Sequence, residues 1–303
     1  MKKTTKTKTT MTTQTNDSLN PKQRDDFAIF ILCHGRPDFC PTYKTLCETD
    51  NKYPVYFILD NEDTTVDLYR EKYGEDRCLV FNKPWYADRT DCMDQLLTRT
   101  CAVFARTACY DLASYLGLKM FVVFDDDVTA FYYKTIHGSV KIRKLNRILT
   151  HFANFLDSTV YTAIAFSQGG EHFSSATEGR DELRVTVSHK CMNAWFCKTD
   201  KPLRFLGRMN DDVNTYSSYQ KRGAAFITVM KIALIQPPTQ SVKGGMTDIY
   251  RNLGTYTKSF YTSMLHPTAN RIHYMHSNRP RIHHKLIKNK IVPRIISPDY
   301  KKQ

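Results

Sequence analysis

Short apolar runs and longer amphipathic stretches follow one another along the first half of the chain. The amphipathic stretches 42–48 and 85–115 predict helices. The apolar runs predict buried strands at Phe27–Leu32, Val55–Leu59, Cys78–Phe81 and Phe121–Phe124. Because strands that alternate with helices form parallel sheets, the pattern predicts a doubly wound α/β fold, Rossmann-like and with a mostly parallel central sheet.

The second half of the chain is patterned less regularly. It contains a basic amphipathic stretch, several shorter apolar runs and a polar segment that opens a helix. The predicted elements are a helix over 141–157, a strand over 161–166, strands over 184–187 and 194–197, a helix from about 207 to 220, and apolar strands over 224–235. We therefore expect a mixed C-terminal extension of the sheet.

Both ends of the chain lack this patterning. Residues 1–24 are rich in Thr and Lys, which predicts a disordered basic tail. Residues 277–303 are rich in Arg and Lys, and Asp299 is the only acid among them. The expected organisation is a single domain over 25–276 between two basic tails.

Charge and composition narrow the partners. The 303 residues carry a formal net charge of +14, which favours a polyanion such as DNA. No apolar run approaches the ~20 residues that span a membrane, and the N-terminus does not look like a signal peptide. The nine scattered cysteines form no C-x-x-C pair, which predicts a reducing compartment rather than a zinc site. A cytoplasmic location with no membrane partner is expected.

Three acids, Asp125-Asp126-Asp127, follow the fourth predicted strand directly. Ligands of open α/β sheets bind at the carboxyl ends of the strands. Since successive side chains of a strand alternate in direction, Asp125 and Asp127 should point to one side and Asp126 to the other. Two carboxylates on one side are typical of a Mg²⁺ or Mn²⁺ site. The alternative is a solvated acidic turn.

Other polar residues also follow predicted strands. Arg36, after the first strand, is well placed for a phosphate. Asp60, after the second, suits either a nucleoside or the N-cap of a helix. The chain contains neither a G-x-G-x-x-G turn after the first strand nor a G-x-x-x-x-G-K-[ST] motif, which argues against a dinucleotide site and a P-loop.

A second acidic group, Asn210-Asp211-Asp212, opens a predicted helix. Its acids could simply complement the helix dipole, or one of them could take a proton from an acceptor hydroxyl. A metal site together with such a base suits sugar transfer from a nucleotide sugar, in which the cation neutralises the leaving diphosphate. A metal-dependent nuclease and a catalytically silent DNA-binding module are the alternatives.

The order of Asp125-Asp126-Asp127, Gly169-Gly170, Asn210-Asp211-Asp212 and His266 resembles the shared core of GT-A fold glycosyltransferases. That core has a D-x-D metal motif, a glycine loop, an x-E-D motif and a metal-binding C-terminal His. The resemblance implies that Mn²⁺ or Mg²⁺ is held by Asp125, Asp127 and His266. Asp211 replaces the usual Glu, which leaves the base open between Asp211 and Asp212. The base of inverting members is the final Asp, which favours Asp212.

Longer stretches, 207–216, 239–250 and 254–261, are similar to the phage TET-associated glycosyltransferases, and the likeness covers roughly residues 27–276. It implies transfer of a sugar from a nucleotide sugar, expected to be a UDP-sugar, to a 5-hydroxymethylpyrimidine base in double-stranded phage DNA, in the cytoplasm of the host cell. The expected base is 5-hydroxymethylcytosine, and the expected stereochemistry is inversion. The modified base would be flipped out of the duplex. A GT-A enzyme with a non-DNA acceptor is the alternative.

The strand-end positions and the two resemblances together imply two further groups of residues. The residues expected to bind the nucleotide sugar are His34, Arg36, Asp60, Arg89, Asp126, Gly169 and Gly170. The residues expected to contact the acceptor or the DNA are Gln240, Lys243, Thr247, Arg279 and Arg281.

Overall fold

The structure is a computed structural model that describes residues 21–135, 137–168, 185–186, 191–237, 246–276 and 280–292. The strands in these ranges are β1 Phe27–Leu32, β2 Val55–Asp60, β3 Cys78–Phe81, β4 Met120–Asp125, β5 Ala130–Thr135, β6 Gly138–Lys141, β7 Ala163–Gln168, β8 Val185–Thr186, β9 Trp195–Lys198, β10 Phe226–Ile235, β11 Asn270–Met275 and β12 Arg281–Leu286. The helices are α1 Pro41–Cys47, α2 Val66–Tyr73, α3 Lys83–Ala87, α4 Val103–Tyr115, α5 Leu145–Asp157, α6 Asp211–Lys221, α7 Thr247–Leu265 and α8 Lys288–Ile291.

Strands β3, β2, β1 and β4 form the parallel part of a large central sheet, in that order. In the register of β1, Leu32 lies opposite both Ile58 of β2 and Asp125 of β4. The carboxyl ends of these strands therefore lie at one edge of the sheet, and the loops after them face the same space.

The sheet continues beyond β4 in the order β9, β7, β10, β5 and β6. Strand β9 is antiparallel to both β4 and β7, so β7 runs in the direction of β4. Strand β10 is parallel to β7 and therefore ends at the same edge as β4. The central sheet is mixed, which confirms the predicted α/β class and its mixed C-terminal extension.

Both faces of the sheet are covered, which explains why β1 is apolar at every position. On one face Ile29 and Ile31 pack in a core that also contains Leu149 of α5. On the other face Phe30 packs with Phe104 of α4. Burial of each such side chain stabilises the fold by about 1.5–3 kcal/mol.

The predicted helix over 85–115 was wrong in its middle. The structure has α3 and α4, joined by a loop over 88–102 that lacks regular structure. The apolar face expected through Leu96 and Leu97 does not form, since these side chains are 39% and 98% exposed. The loop is instead held by polar contacts with Arg208, described below, which a helical pattern does not reveal.

The C-terminal elements differ most from prediction. The helix expected from residue 141 begins at Leu145, because 138–141 form β6. Helix α7 spans Thr247–Leu265, a stretch for which the sequence pattern predicted no element. Strands β11 and β12 pair antiparallel, so residues 281–286 of the predicted basic tail share a hairpin with 270–275. No helix in the described ranges is both long and apolar enough to cross a membrane.

Candidate active site

The acidic turn after β4 is fixed by the N-terminal end of α1. The hydroxyl of the buried Thr42 donates to the carbonyl oxygen of Asp125 at 2.6 Å and accepts from the amide of Val128 at 2.8 Å. The backbone amide of Thr42 donates to the carbonyl oxygen of Asp126 at 3.1 Å. The turn that carries the three acids is therefore rigid at both its ends.

Asp125 and Asp127 face one side of this turn and Asp126 faces the other, as the alternation of strand side chains predicted. The Gln236 amide nitrogen donates to Asp127 Oδ1 at 2.6 Å and lies 3.3 Å from Asp125 Oδ2. Asp126 is buried and accepts from Arg36 at 2.7 and 2.8 Å. Arg36 and Asp126, which were both expected to bind the nucleotide sugar, thus form an ion pair with each other.

Gln236 was not found by sequence reasoning. It directly follows β10, which ends at the same edge as β4. Its carbonyl oxygen accepts a hydrogen bond from the Asn193 side chain. The available signal was a polar residue directly after the apolar run 224–235, but the sequence does not show the direction in which that strand runs.

The electrostatics of the turn favour a cation. Burial raises the pKa of Asp126 to about 7, although the Arg36 guanidinium opposes the shift. Burial, and then the charge of Asp125, raise the pKa of Asp127, while the Gln236 hydrogen bond opposes this. Because Asp125 and Asp127 repel each other and both reach one amide nitrogen, a Mg²⁺ or Mn²⁺ ion between them would relieve the repulsion.

Arg106 joins the two acidic groups. This buried residue of α4 donates to Asp211 Oδ2 at 2.7 Å and to Asp125 Oδ1 at 3.2 Å. Burial raises the pKa of Asp211 to about 6, with the Arg106 charge opposing the shift and the Asp212 charge adding to it. Sequence reasoning missed Arg106 because it lies among apolar residues of a predicted helix.

Asp211 and Asp212 begin α6. The residue before them, Asn210, has a left-handed backbone with φ +54°. Its side-chain amide donates to the Lys258 carbonyl oxygen at 2.8 Å and to Thr262 Oγ1 at 3.2 Å, which anchors the start of α6 on α7. The Val213 amide donates to Asp212 Oδ1 at 2.7 Å.

The residues just before Asn210 have a structural role. Gly207 has φ +80°, and a Cβ atom there would lie 2.4 Å from Asn214 Nδ2. Arg208 is only 3% exposed; it donates to Asp94 Oδ2 at 2.8 Å and to the Thr98 carbonyl oxygen at 2.6 Å. Much of the segment 207–210 therefore serves to hold the loop 88–102 against α6.

His34, Asp60 and Lys83 form a third polar group, at the carboxyl ends of β1 and β2. His34 Nδ1 donates to Asp60 Oδ2 at 2.8 Å, and Lys83 Nζ lies 3.3 Å from the same oxygen. The hydrogen bond to Asp60 raises the pKa of His34, with burial opposing it. Burial opposes ionisation of Asp60, but His34 and Lys83 hold its pKa below the ordinary value. Asp60 does not cap α2, whose N-cap is Thr65.

The other predicted binding residues are spread over the molecule. Arg89 is exposed, and its guanidinium lies 4.2 Å from the centre of a Trp85 ring. Thr247 is buried at the start of α7, and Arg281 lies on β12. The remaining predicted residues, Gly169, Gly170, Gln240, Lys243 and Arg279, lie outside the described ranges.

His266 is placed beside α6 rather than with the acids of the β4 turn. Its Nδ1 accepts from Lys221 Nζ at 3.0 Å, and its Nε2 lies 3.2 Å from Ser218 Oγ. Burial lowers the pKa of His266 to about 4, so the ring is neutral at pH 7. Within the residues described, no group of three or more His, Cys, Asp or Glu side chains could hold a metal. The structure brings Asp125 and Asp127 together, without His266.

The class of the protein follows from its sequence family. Residues 27–245 match the family model described as "TET-Associated Glycosyltransferase", and this match covers more than half of the chain. The protein is therefore a glycosyltransferase. The chain belongs to the TET-associated glycosyltransferase family. No curated protein matches the chain.

Solved structures of low sequence identity are similar to the chain. Glucosyl-3-phosphoglycerate synthase from Mycobacterium tuberculosis, in complex with Mg²⁺ and UDP, matches with a TM-score of 0.45 and 6% identity over 86% of this chain and 87% of that chain. The same enzyme with Mn²⁺ and UDP-glucose matches with a TM-score of 0.43 and 7% identity over 85% of each chain. GalNAc-T7 with UDP, GalNAc and Mn²⁺ matches with a TM-score of 0.42 and 10% identity over 69% of this chain and 43% of that chain.

Proposed function

We propose that the protein transfers a sugar from a nucleotide sugar, a UDP-sugar, to the hydroxyl of 5-hydroxymethylcytosine in DNA. The observation that carries the proposal is the placement of Arg106, which binds Asp125 and Asp211 at once. The acids after β4 and those at the start of α6 therefore belong to one centre, although they are far apart in sequence. Family membership supplies sugar transfer as the reaction class.

The acceptor is inferred from the family and from charge. The chain belongs to the TET-associated glycosyltransferases, and the family likeness implies hydroxymethylated pyrimidines, made by oxidation of 5-methylcytosine, as the acceptor. The net charge of +14 suits a DNA acceptor, whose phosphates supply most of the non-specific binding energy. The target base would have to leave the duplex to reach buried acids, as it does in other enzymes that modify bases.

Asp125 and Asp127 are the proposed ligands of Mn²⁺ or Mg²⁺. Two carboxylates leave coordination positions for water and for the donor's phosphates, which is the usual way in which proteins bind Mg²⁺. The cation would neutralise the charge that develops on the leaving diphosphate. The rigid turn fixed by Thr42 holds the two carboxylates in place.

Asp212 is the proposed base. Asp211 is held in the ion pair with Arg106, whereas the Asp212 carboxylate accepts, among the described residues, one hydrogen bond, from the Val213 amide. Asp212 takes the proton of the hydroxymethyl group while the oxygen of that group forms a bond to the anomeric carbon of the sugar. The bond from that carbon to the diphosphate breaks in the same step. Direct displacement of this kind inverts the anomeric centre.

The nucleotide part of the donor is assigned to the edge formed by β1 and β2. His34 is half-exposed there and is oriented by the buried Asp60, which Lys83 also contacts. An oriented imidazole and a neighbouring ammonium group are suited to the polar edges of a nucleoside and to phosphate. Arg36 acts indirectly, because its ion pair with Asp126 stabilises the turn that carries the metal ligands.

Mass spectrometry of nucleosides tests the proposal. DNA that contains 5-hydroxymethylcytosine, DNA that contains 5-hydroxymethyluracil and unmodified DNA would each be incubated with the protein, Mn²⁺ and a mixture of UDP-sugars. We expect a mass gain of one hexose or N-acetylhexosamine on 5-hydroxymethylcytosine, abolished by EDTA. Release of UDP without any mass gain on DNA would move the acceptor to another molecule. Cleaved DNA without UDP release would replace sugar transfer by phosphodiester hydrolysis.

A further inference from the structure

The hairpin of β11 and β12 has two different faces. One face lies against α7, where Ser259 Oγ donates to the Ile282 carbonyl oxygen at 3.0 Å and the Asn270 side chain donates to Ser263 Oγ at 2.8 Å. The side chains of this face alternate along both strands. They are Asn270, Ile272, Tyr274, Ile282, His284 and Leu286.

The opposite face carries the basic residues. Cross-strand partners of an antiparallel pair point to the same side, and here the partners are Arg271 with Lys285, His273 with His283, and Met275 with Arg281. Arg271 and Lys285 are exposed. The sequence from 249 to 303 contains Asp299 as its only acid, so neither strand of the hairpin has an acidic residue.

The like-charged pair on the hairpin suits an anionic ligand. Like charges directly opposite each other weaken a strand pair, so Arg271 and Lys285 do not stabilise the hairpin through their mutual contact. Beyond β12 the exposed Lys288 and Lys290 extend the positive charge. An anion with regularly spaced charges would neutralise such a row, and a nucleic-acid backbone carries one charge per ~1.7 Å of duplex axis.

Helix α7 connects the hairpin to the candidate active site. Its residues Lys258 and Thr262 accept hydrogen bonds from Asn210, next to the acids of α6. The residues that follow each of them, Ser259 and Ser263, bind the hairpin. These contacts lie on the face that packs against α7, so the basic face is turned away from α7. The basic hairpin is thus anchored on the same helix that holds the start of α6.

We propose that the basic face of the β11–β12 hairpin binds the phosphate backbone of double-stranded DNA. This inference rests on the proposed function, because DNA is the acceptor there. Contacts to phosphates position a duplex without reading its sequence. The hairpin therefore contributes affinity and placement, and the choice of the modified base is left to the active site.

The test compares two variants that lose equal charge. R271Q/K285Q removes the like-charged pair of the hairpin. The control, R143Q/K144Q, removes two exposed positive charges beside α5. Helix α5 packs on one face of the central sheet, whereas Leu286 of the hairpin packs against the core on the other face. Binding of an unmodified duplex would be measured by fluorescence anisotropy at several salt concentrations, and transfer would be measured on hydroxymethylated duplex and on the free hydroxymethyl nucleoside.

We expect R271Q/K285Q to reduce the magnitude of the negative slope of log K against log salt by about 2, one for each phosphate contact, while the control leaves the slope unchanged. On the duplex the KM of the variant should rise with kcat unchanged, and transfer to the free nucleoside should be as in the wild type. An unchanged slope and KM, with normal wild-type transfer, would overturn the hairpin proposal alone. Duplex binding that depends on the hairpin, without transfer to any DNA, would support the hairpin and overturn the proposed function. An equal decrease of the slope in both variants would overturn the hairpin proposal, since net charge alone would then explain binding.

Discussion

The two acidic groups of the candidate site both lie at the ends of secondary-structure elements, but they differ in burial and in how their charge is balanced. Asp125 and Asp127 are half-buried, whereas Asp211 and Asp212 are buried. Asp125 and Asp127 share a neutral amide, that of Gln236. Asp211 faces the fixed guanidinium of Arg106, and Asp212 accepts from the backbone of its own helix. Arg106 also reaches Asp125, at 3.2 Å, but among the described residues no cationic side chain forms an ion pair with Asp127. The first group therefore suits an exchangeable cation, whereas Asp211 of the second group has its counter-charge within the chain and Asp212 suits proton transfer.

The largest effect should come from removal of a proposed metal ligand. Asp127→Ala removes one of the two carboxylates that reach Gln236, and with it several kcal/mol of charge stabilisation, or roughly 10⁴-fold in turnover. Sugar transfer and Mn²⁺ affinity would be measured on the same sample. Asp38→Ala is the control, because its side chain is 95% exposed in a surface pair with Lys72. Normal Mn²⁺-dependent turnover by Asp127→Ala would refute the assignment of the first group.

Asp212→Asn should remove the base and leave the metal site intact. Loss of general base catalysis costs about 10²–10⁴-fold, and we expect it in kcat while donor affinity is unchanged. Single-turnover transfer measured beside Asp211→Asn distinguishes the two acids. If Asp212→Asn transfers normally and Asp211→Asn does not, the base is Asp211 and the roles within the second group are reversed.

Arg106→Gln should reduce stability because it leaves Asp211 buried without its partner, at a cost of about 4 kcal/mol. The pKa of Asp211 is already raised to about 6, so the folded protein binds a proton there at a pH where the unfolded chain has lost it. Stability contributed by Asp211 thus falls as pH rises through this range. Loss of Arg106 raises that pKa further. The difference in unfolding free energy between the wild type and Arg106→Gln should therefore grow from about pH 5 to about pH 8.

Denaturant unfolding at several pH values measures this deficit. Arg70→Gln is the matched control, because Arg70 pairs with Asp67 at the surface and should contribute under about 1 kcal/mol. A deficit for Arg106→Gln that is as small as that of Arg70→Gln would show that the two acidic groups are not joined through this guanidinium.

His266→Gln tests whether the histidine belongs to the metal site or to the packing of α6. The pKa of His266 is lowered to about 4, so below about pH 6.5 the unfolded chain gains a proton that the folded protein does not bind. Stability falls as pH decreases through this window, by about 3 kcal/mol in all. The variant should lack this acid sensitivity and keep its Mn²⁺ affinity. Loss of Mn²⁺ binding in the variant would instead show that His266 is a metal ligand.

The sequence predicted the parallel part of the sheet well, because strands buried on both faces are apolar throughout. Strands β1 and β3 have the predicted bounds, and the placement of acids after β4 follows from the strand-end rule. Gln236 and Arg106 could not be predicted in the same way. The position of Gln236 depends on the direction of β10, and that of Arg106 depends on how α4 packs against the sheet.

The region after β10 was predicted poorly for a different reason. Arg, Lys and His dominate the hairpin and obscure its apolar alternation, although Ile272, Tyr274, Ile282 and Leu286 follow a period of two. The kink at Gly254, with φ +73°, interrupts the helical pattern of α7. His266 was assigned by its order in the chain, and motif order does not specify which side of α6 a residue faces.

Titration with Mn²⁺, monitored through the EPR signal of the free ion, tests most directly whether the first acidic group binds the metal and the second acts as the base. The wild type, Asp127→Ala and Asp212→Asn would be titrated in the presence of UDP. We expect Asp212→Asn to bind Mn²⁺ as tightly as the wild type and yet to transfer sugar about 10²–10⁴-fold more slowly, and we expect Asp127→Ala to lose both Mn²⁺ binding and transfer. Mn²⁺ binding that survives in Asp127→Ala and is lost in Asp212→Asn would contradict this assignment.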